Sequence, residues 1–340
     1  MSNETESELS LIDLRRWTSE RAWEWYRKQP WLVGCNFIPS TAINELEMWQ
    51  TDTFDPVTID RELGWAEGIG MNTVRVYLHD LAWSQAPEGF KRRVSDFLDI
   101  ASRHGIRPLF VLFDSCWDPE PKIGKQPETR IGVHNCGWVQ SPGAASEIDP
   151  STWPALENYV IDVVGSFRDD ARILMWDVYN EPAPQALPLL NQAFNWARRA
   201  RPSQPISSGV FRLDEEGMPV TKFQLAASDV LTCHNYEPEA VLRDFLAKFD
   251  AYGRPIICTE WMARTRGSLV QTNLRVFKEL GIGCVIWGLV YGKTQTIYPW
   301  GSEAGTPEPK LWFHDLFRQD GSPFDAEEIE VFRSLTSVKA

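Results

Sequence analysis

The stretch Ile173–Pro182, with the sequence ILMWDVYNEP, combines a short apolar run with a polar end. Its first part, Ile173–Tyr179, is rich in large apolar side chains, which is typical of a parallel strand that is buried on both faces. The polar tripeptide Asn180-Glu181-Pro182 follows directly. The stretch therefore predicts a parallel strand that ends in side chains capable of chemistry.

Seven other short apolar runs share this character: Trp31–Phe37, Thr73–Leu78, Arg107–Phe113, Pro205–Val210, Val230–His234, Pro255–Thr259 and Cys284–Val290. Amphipathic stretches between or after the runs predict helices: Asp60–Gly68, Phe90–His104, Trp153–Phe167, Leu187–Arg199, Glu239–Phe249, Leu269–Leu280 and Phe324–Ser334. The connection Phe211–Ser228 shows no clear helical pattern. Strands that alternate with helices predict parallel pairing.

Eight such units are the number that closes a (β/α)8 barrel, which needs about 250 residues. The 340 residues of the chain leave room for an N-terminal helix at Glu20–Gln29 and for a long loop at Asp114–Pro150. We predict an α/β fold, a single (β/α)8 TIM barrel with long loops on its catalytic face. Residues 1–30 would form a tail and a helix that packs on the barrel, and residues 31–340 the catalytic barrel. An open doubly wound sheet is the alternative, although no glycine-rich phosphate loop follows the first run.

The charge balance excludes several classes of partner. The chain has 34 basic and 47 acidic residues, a net charge of −13, whereas nucleic-acid and anionic membrane surfaces are bound by basic patches. No apolar run approaches the ~20 residues that span a bilayer. The polar, acidic N-terminus lacks the features of a secretory signal. We therefore predict no nucleic-acid and no membrane partner and a cytoplasmic location, and the oligomeric state stays open.

The six cysteines include no CxxC pair, which argues against a zinc ribbon. Cys116 and Cys136 share the long loop and could pair if the protein is exported. His134 lies near Cys136, but a metal site needs three or four ligands in a fixed geometry. We predict no metal and no cofactor.

Two glutamates follow predicted strands, at the end where barrel enzymes carry their active sites. Glu181 follows the fourth run and Glu260 follows the seventh. A single glutamate in such a place is commonly a solvated loop residue. Two carboxylates that face one cavity, however, are what glycoside hydrolysis requires, because one protonates the leaving oxygen and the other attacks the anomeric carbon or activates water.

Taken together with Glu260 and with Trp287 at the eighth strand, the tripeptide Asn180-Glu181-Pro182 resembles the retaining glycoside hydrolases of clan A. The closest resemblance is to the cellulase-like enzymes of glycoside hydrolase family 5, and it extends over the region Trp31–Trp300. The resemblance implies that Glu181 is the acid/base and that Glu260 is the nucleophile.

The same resemblance implies roles for five supporting residues. Asn180 would bind the 2-hydroxyl of the reacting sugar through a bond that strengthens in the transition state. Tyr236 would hold the carboxylate of the nucleophile, and His234 would line the reacting subsite. Arg75 would lie near the nucleophile and favour its ionised form. Trp287 would form the floor beneath the sugar.

The acid must be protonated before it acts. Glu181 has no cationic neighbour in the sequence, and a negative Glu260 opposite it predicts a raised pKa for Glu181.

One position departs from the family pattern. Many members carry a histidine at the end of the third strand, whereas here Phe113 is followed by Asp114. A histidine, His79, instead follows the second strand. The substrate of the cellulases therefore does not transfer directly to this chain.

Strand ends and loops of the catalytic face carry a set of candidate substrate-binding residues. The chain contains 16 tryptophans, and such rings either pack in the core or stack on the apolar face of a sugar. The long loop is typical of a functional lid, so we hypothesise a pocket that acts on small glycosides or chain ends. The candidates are Asn36, His79, Asp114, Trp117, Trp138, Trp261, Trp287 and Trp300.

The leading hypothesis is a retaining hydrolase that cleaves β-glycosidic bonds of oligosaccharides or small glycosides by double displacement. The alternatives are an endo-acting β-1,4-glycanase of the cellulase, mannanase or xylanase type, and a non-catalytic carbohydrate-binding barrel. An aldolase or isomerase is disfavoured, since no lysine lies inside the eight runs. The sequence does not choose the sugar, the linkage, or hydrolysis over transglycosylation.

Overall fold

Eight parallel strands form the centre of the protein, whose computed structural model describes residues 16–211 and 218–336. They pair in the order β5-β4-β3-β2-β1-β8-β7-β6, and a parallel bridge between Val210 and Cys233 joins the two edges. The predicted (β/α)8 barrel is confirmed. The strands are β1 Val33–Asn36, β2 Thr73–Tyr77, β3 Arg107–Val111, β4 Met175–Asp177, β5 Ile206–Ser207, β6 Leu231–His234, β7 Ile256–Trp261 and β8 Gly283–Trp287.

The part of the chain that the structure describes contains twelve α-helices. Most of them form the outer layer of the barrel, packed on the largely apolar outer faces of the strands. They are α1 Ser19–Arg27, α2 Glu45–Trp49, α3 Pro56–Glu67, α4 Asp80–Gln85, α5 Pro87–Arg103, α6 Ala144–Ile148, α7 Trp153–Ser166, α8 Leu187–Ala200, α9 Pro219–Ala227, α10 Glu239–Ala247, α11 Val270–Leu280 and α12 Ala326–Thr336.

Helix α1 lies against the end of the barrel where the strands begin. It starts after Thr18, whose side-chain oxygen accepts a hydrogen bond from the amide of Arg21 and so caps the first turn. The hydroxyl of Tyr26 accepts from the amide of Gly283 at 2.7 Å, at the first residue of β8. This contact ties the N-terminal helix to the bottom of the barrel. The acidic segment used to predict the cellular location falls in residues 1–15, outside the described residues.

The connection between β5 and β6 differs from the sequence-based expectation. It contains helix α9, where no helix was expected. The apolar periodicity is masked because two polar residues, Thr221 and Gln224, are buried in this helix. Gln224 Nε2 donates to Ser208 Oγ at 3.1 Å and to the Gly209 carbonyl at 2.6 Å. A satisfied buried amide thus takes the place of an apolar side chain.

The pairing of β6, β7 and β8 positions the functional end of the barrel. The register shifts between Cys233 and His234 on β6, so that His234 lies opposite Glu260 on β7. Such irregularities redirect side chains and are frequent next to active sites. All six cysteines are free, and no helix of the described residues is long and apolar enough to span a membrane.

Candidate active site

An open cavity with an empty volume of about 780 Å³ lies at the C-terminal end of the barrel. Most of the sequence-predicted site residues are in its wall, which consists of Asp114, Cys116, Trp117, His134, Asn135, Trp138, Asn180, Glu181, Phe211, Tyr236, Glu260, Trp287 and Trp300.

Glu181 follows β4 in an unusual backbone conformation, with a φ of 42°. Strain of this kind in a residue other than glycine is found mostly at functional sites. One carboxylate oxygen, Oε1, lies 2.6 Å from His234 Nδ1, and the other, Oε2, is 3.4 Å from the thiol sulfur of Cys116. The surrounding structure therefore holds this carboxylate at both oxygens.

Glu260 is held by three donors, two of them on β2 and one in the loop after β6. Arg75 Nη1 donates to Oε1 at 2.8 Å, and the hydroxyl of Tyr77 lies 3.2 Å from the same oxygen. The hydroxyl of Tyr236 donates to Oε2 at 2.7 Å. Hydrogen bonds and a neighbouring cation favour the charged form of a carboxylate, which is the form that a nucleophile needs.

The separation of the two carboxylates is informative about chemistry. One oxygen of Glu181, one oxygen of Glu260 and a ring nitrogen of His234 all lie within 4.8 Å of one another. Retaining glycosidases place their carboxyl groups about 5–5.5 Å apart, whereas inverting enzymes need about 6.5–9.5 Å to admit a water. The short separation favours a retaining mechanism.

The same three side chains form a cluster with metal-ligand spacing in the described residues. Each of them, however, is bonded to protein groups: Glu181 to His234, and Glu260 to Arg75 and Tyr236. Protein groups thus bond both carboxylates, and the prediction of no metal stays a prediction.

The electrostatics of Glu181 differ from the sequence-based expectation. Burial raises the pKa of this carboxyl group, but the hydrogen bond and charge of His234, with smaller effects of Cys116 and Arg75, outweigh burial and hold the pKa below its usual value. The expectation of a raised pKa was wrong because it assigned His234 to the sugar subsite alone. In the folded chain, its Nδ1 lies directly on the carboxylate.

Arg75 is fully buried and donates hydrogen bonds to several of the polar side chains around the two glutamates. Its Nη2 donates to Asp177 Oδ2 at 2.7 Å and to Asn180 Oδ1 at 2.6 Å. Its Nη1 donates to Asn36 Oδ1 at 3.1 Å in addition to Glu260. Sequence analysis missed Asp177, although a lone acid inside an apolar run was a visible signal.

Asp114 fixes the orientation of the Asn180 amide. Asn180 Nδ2 donates to Asp114 Oδ1 at 2.9 Å, and Trp138 Nε1 donates to Asp114 Oδ2 at 2.8 Å. Burial raises the pKa of Asp114 to about 6, against the effect of these donors. The amide oxygen of Asn180 accepts from Arg75, and the amide nitrogen also donates to the sulfur of Cys116 at 3.7 Å.

Three predicted substrate-binding residues lie outside the cavity wall. His79 is fully buried and caps α4, with its Nδ1 accepting from the amide of Leu81 at 3.1 Å. Trp261 is also fully buried and packs on Phe277 at a ring distance of 5.2 Å, because the residue after Glu260 on a strand faces the opposite side. The side-chain oxygen of Asn36 instead accepts a hydrogen bond from Arg75. As a correction, the structure places none of the three in the wall of this cavity.

The cavity wall also contains residues that sequence analysis did not propose as substrate contacts: Cys116, His134, Asn135 and Phe211. They lie in loops, where no periodic pattern marks the direction of a side chain. Trp117 and Trp300, also in this wall, are 46% and 43% exposed and lie at the opening of the cavity.

One side of the cavity is walled by the junction of two loops. The loop after β3 contacts the loop after β8 where His134 Nδ1 meets the Tyr298 carbonyl at 2.7 Å and where the amide of Gly305 donates to the Ile131 carbonyl at 2.8 Å. Gly132 is required at this junction, because a Cβ there would lie 2.6 Å from the amide nitrogen of Thr306.

A second cavity, with an empty volume of about 760 Å³, adjoins the first. It shares Glu181 and Phe211 with the first cavity but does not include Glu260. Its remaining wall comes from the turn after Glu181, from Gly209 and from α9. Glu181 therefore stands between the two cavities.

Comparison with known proteins gives similarity in structure and none in sequence. No protein-family model matches the chain, and no curated protein matches it. Among solved structures, GH5_18 from Streptomyces cattleya in complex with GlcNAc has a TM-score of 0.61 at 14% identity and covers 91% of this chain and 81% of its own.

Two further structures are similar to a comparable degree. The exo-beta-1,4-mannosidase Op5Man5 from Opitutaceae bacterium strain TAV5 has a TM-score of 0.60 at 19% identity, over 90% of this chain and 60% of that one. The endo-1,4-beta-mannanase from Rhizomucor miehei has a TM-score of 0.59 at 12% identity, over 91% and 95%. The predicted resemblance to glycoside hydrolase family 5 is thus confirmed at the level of the fold.

Proposed function

We propose that the protein is a retaining glycoside hydrolase that acts on β-glycosidic bonds, with Glu260 as nucleophile and Glu181 as acid/base. The observation that carries the proposal is the pair of carboxylates within 4.8 Å of each other at the C-terminal end of a barrel. Their unequal surroundings support the division of roles, because Glu260 has three donors and Glu181 is bonded to a histidine.

In the first step, a carboxylate oxygen of Glu260 attacks the anomeric carbon and forms a glycosyl ester while the bond to the leaving oxygen breaks. The leaving oxygen takes its proton from Glu181. The hydrogen bond with His234 holds the pKa of Glu181 below its usual value, so the protonated fraction of Glu181 that can act falls as the pH rises.

In the second step, Glu181 accepts a proton from water, and the water oxygen attacks the anomeric carbon. The ester bond to Glu260 breaks and the carboxylate is restored. Arg75 stays 2.8 Å from Glu260 as a fixed positive charge for the returning anion. The sugar hydroxyl next to the reacting carbon replaces the Cys116 sulfur, a weak acceptor, on the second N–H of Asn180.

The two cavities support action on small glycosides or chain ends. A leaving group must lie beside the acid, and the second cavity includes Glu181 without Glu260. The reacting sugar must lie beside both carboxylates, in the first cavity, whose wall includes the loop junction at His134. We therefore place one terminal sugar in the first cavity and the rest of the substrate beyond Glu181, in the second.

The first test is turnover of a panel of aryl β-glycosides by the native protein and by Glu181→Gln and Glu260→Gln. Structural neighbours include proteins named as mannosidases and mannanases, so β-mannosides belong in the panel. Each variant should lose nearly all turnover, and Glu260→Gln should also prevent covalent labelling by a fluorinated glycoside. Glu303→Gln, at an exposed site in the loop after β8, serves as the control.

Retained turnover in either catalytic variant would defeat the assignment of roles. Binding of sugars by the native protein with no turnover across the panel would instead favour the carbohydrate-binding alternative.

The second test addresses the site of attack on a longer chain. Product analysis on oligosaccharides of increasing length should show release of one terminal sugar at a time. Mid-chain cleavage of a polymer, with rapid loss of viscosity, would contradict the chain-end proposal and favour an endo-acting glycanase.

A further inference from the structure

His134 is a cavity residue that the catalytic mechanism does not use. It lies in the loop after β3, is only 2% exposed, and forms part of the first cavity's wall. The hydrogen-bond partners of Glu181 and Glu260 are other side chains. Its presence at the wall therefore needs a separate explanation.

The imidazole ring of His134 is surrounded by other aromatic rings. Its centroid lies 5.6 Å from that of Trp117, 5.9 Å from that of Phe313 and 5.4 Å from that of His314. Trp300 stands edge-on at 6.4 Å. A ring enclosed in this way holds one orientation.

The hydrogen bond of His134 fixes which nitrogen carries the proton. Nδ1 lies 2.7 Å from the Tyr298 carbonyl oxygen, and a carbonyl can only accept, so Nδ1 is the protonated nitrogen. Burial lowers the pKa of His134 to about 4. The ring is thus neutral near pH 7, and Nε2 carries a lone pair.

This Nε2 differs from that of the other buried histidines. In the described part of the chain, Nε2 of His79, His234 and His314 is sealed from solvent with no hydrogen-bond partner. Nε2 of His134 is not sealed in this way, and the open space that its ring adjoins is the catalytic cavity. The wall therefore presents a fixed, uncharged acceptor to whatever occupies the cavity.

We propose that Nε2 of His134 accepts a hydrogen bond from one hydroxyl group of the bound terminal sugar and thereby selects sugars that carry a hydroxyl at that position. The inference rests on the proposed function, because it places a sugar in the first cavity. The partner must be a hydroxyl or another donor, since the lone pair would repel an acceptor. A site built to bond a hydroxyl discriminates strongly against an analogue that lacks it, because the buried partner is left unpaired.

The test is a double-mutant-type cycle, in which each protein variant is measured on substrates that each lack one hydroxyl group. The substrates are the best aryl glycoside of the panel and its monodeoxy analogues, each lacking one hydroxyl. His134→Asn keeps a donor for the Tyr298 carbonyl but has no atom at the Nε2 position, whereas His134→Gln restores a polar atom there. His104→Asn, on the outer end of α5 where the ring contacts Asp60 and Glu67, is the matched control.

The native protein should lose about tenfold or more in kcat/KM for one deoxy analogue relative to the others. His134→Asn should lose a similar factor in kcat/KM for the parent glycoside. Its kcat/KM should then be the same for the parent and for that analogue. His134→Gln should recover part of the discrimination, and His104→Asn should retain all of it. Intrinsic reactivity differences between the analogues cancel in the cycle.

An equal loss on every substrate in His134→Asn would overturn the inference, because it would show a structural role for the loop. Unchanged discrimination by that variant would overturn it as well. Absence of turnover in the native protein on every glycoside would contradict the proposed function itself, and this inference with it.

Discussion

At the scale of single residues, the site depends on one buried cation. Arg75 donates to both Asp177 and Glu260, and all three side chains are buried. Burial raises the pKa of Asp177, while the charge and hydrogen bonds of Arg75 act against this effect. Two buried acids beside one guanidinium are stable only while the guanidinium remains.

Replacing Arg75 should therefore be costly, and the cost should depend on Asp177. We expect Arg75→Met to destabilise the protein by about 3–5 kcal/mol in urea unfolding, because it leaves buried carboxylates without a partner. The double variant Arg75→Met/Asp177→Asn should recover part of this loss without recovering turnover. Equal stabilities of the single and double variants would show that Asp177 does not depend on Arg75.

The pair Glu181–His234 leads to a prediction about pH. His234 lowers the pKa of Glu181 against the effect of burial, so its removal leaves burial dominant and the pKa should rise. Glu181 must be protonated for the first step, and the alkaline limb of the kcat/KM profile follows its deprotonation. In His234→Ala this limb should move to higher pH, whereas His104→Ala should leave it in place. A limb that stays or moves to lower pH would contradict the pairing.

At the scale of elements, strand ends and the loops that follow them build the site together. The register shift on β6 sets His234 opposite Glu260, and the end of β4 carries Asp177 and then Glu181. Helix α3 supports this face from outside. Glu62 on α3 is fully buried and accepts hydrogen bonds from the amide and hydroxyl of Ser40, in the loop after β1.

Glu62 should make this contact pH-sensitive. Burial raises its pKa to about 7 from an ordinary value of 4.5, despite the bonds from Ser40. Below pH 4.5 the group is protonated in both the folded and unfolded states. As the pH rises to about 7, the unfolded state loses this proton before the folded state does. The free energy of unfolding of the native protein therefore falls over this pH range.

The variant Glu62→Gln has no such proton to lose. We expect the stability of Glu62→Gln relative to the native protein to increase as the pH rises from about 4.5 to 7, measured by urea unfolding at several pH values. Glu330→Gln, an exposed acid of α12, should show no comparable trend. A relative stability that falls with pH would mean that the Glu62 carboxylate is favoured by folding.

At the scale of the whole molecule, a hydrophobic core around and inside the barrel holds the fold together without disulfides. Cys116 and Cys136, whose pairing the sequence left open, are both free. Cys116 instead approaches Glu181, and Cys136 accepts from the amide of Arg130 at 3.3 Å. Cytoplasmic location stays a prediction of the sequence.

Reducing agents should therefore leave the stability unchanged. We expect the same Tm with and without dithiothreitol, since no loop of the chain is closed by a disulfide. Thiol titration of the unfolded chain without reductant should find six thiols, the number in the sequence. A count of four with a Tm that falls on reduction would reveal a disulfide.

Most of the barrel was predictable from the sequence because its strand–helix unit repeats along the chain. Buried parallel strands impose continuous apolar runs and their helices a 3.6-residue period, and these patterns gave the barrel and located Glu181 and Glu260 at strand ends. Helix α9 escaped because it buries Gln224 through hydrogen bonds that no periodicity shows. His79 and Trp261 were misplaced because proximity to a strand end does not give the direction of a side chain.

The sequence by itself determined the barrel and the two carboxylates, because strand burial and the chemistry of a glutamate are local properties of the chain. The tertiary structure alone decided the separation of those carboxylates, the lowered pKa of Glu181 beside His234, and the position of His134 at the cavity wall. These features arise from residues that are 50 or more positions apart in sequence. Distances and electric fields between such groups exist only after the strands have closed and the loops have met.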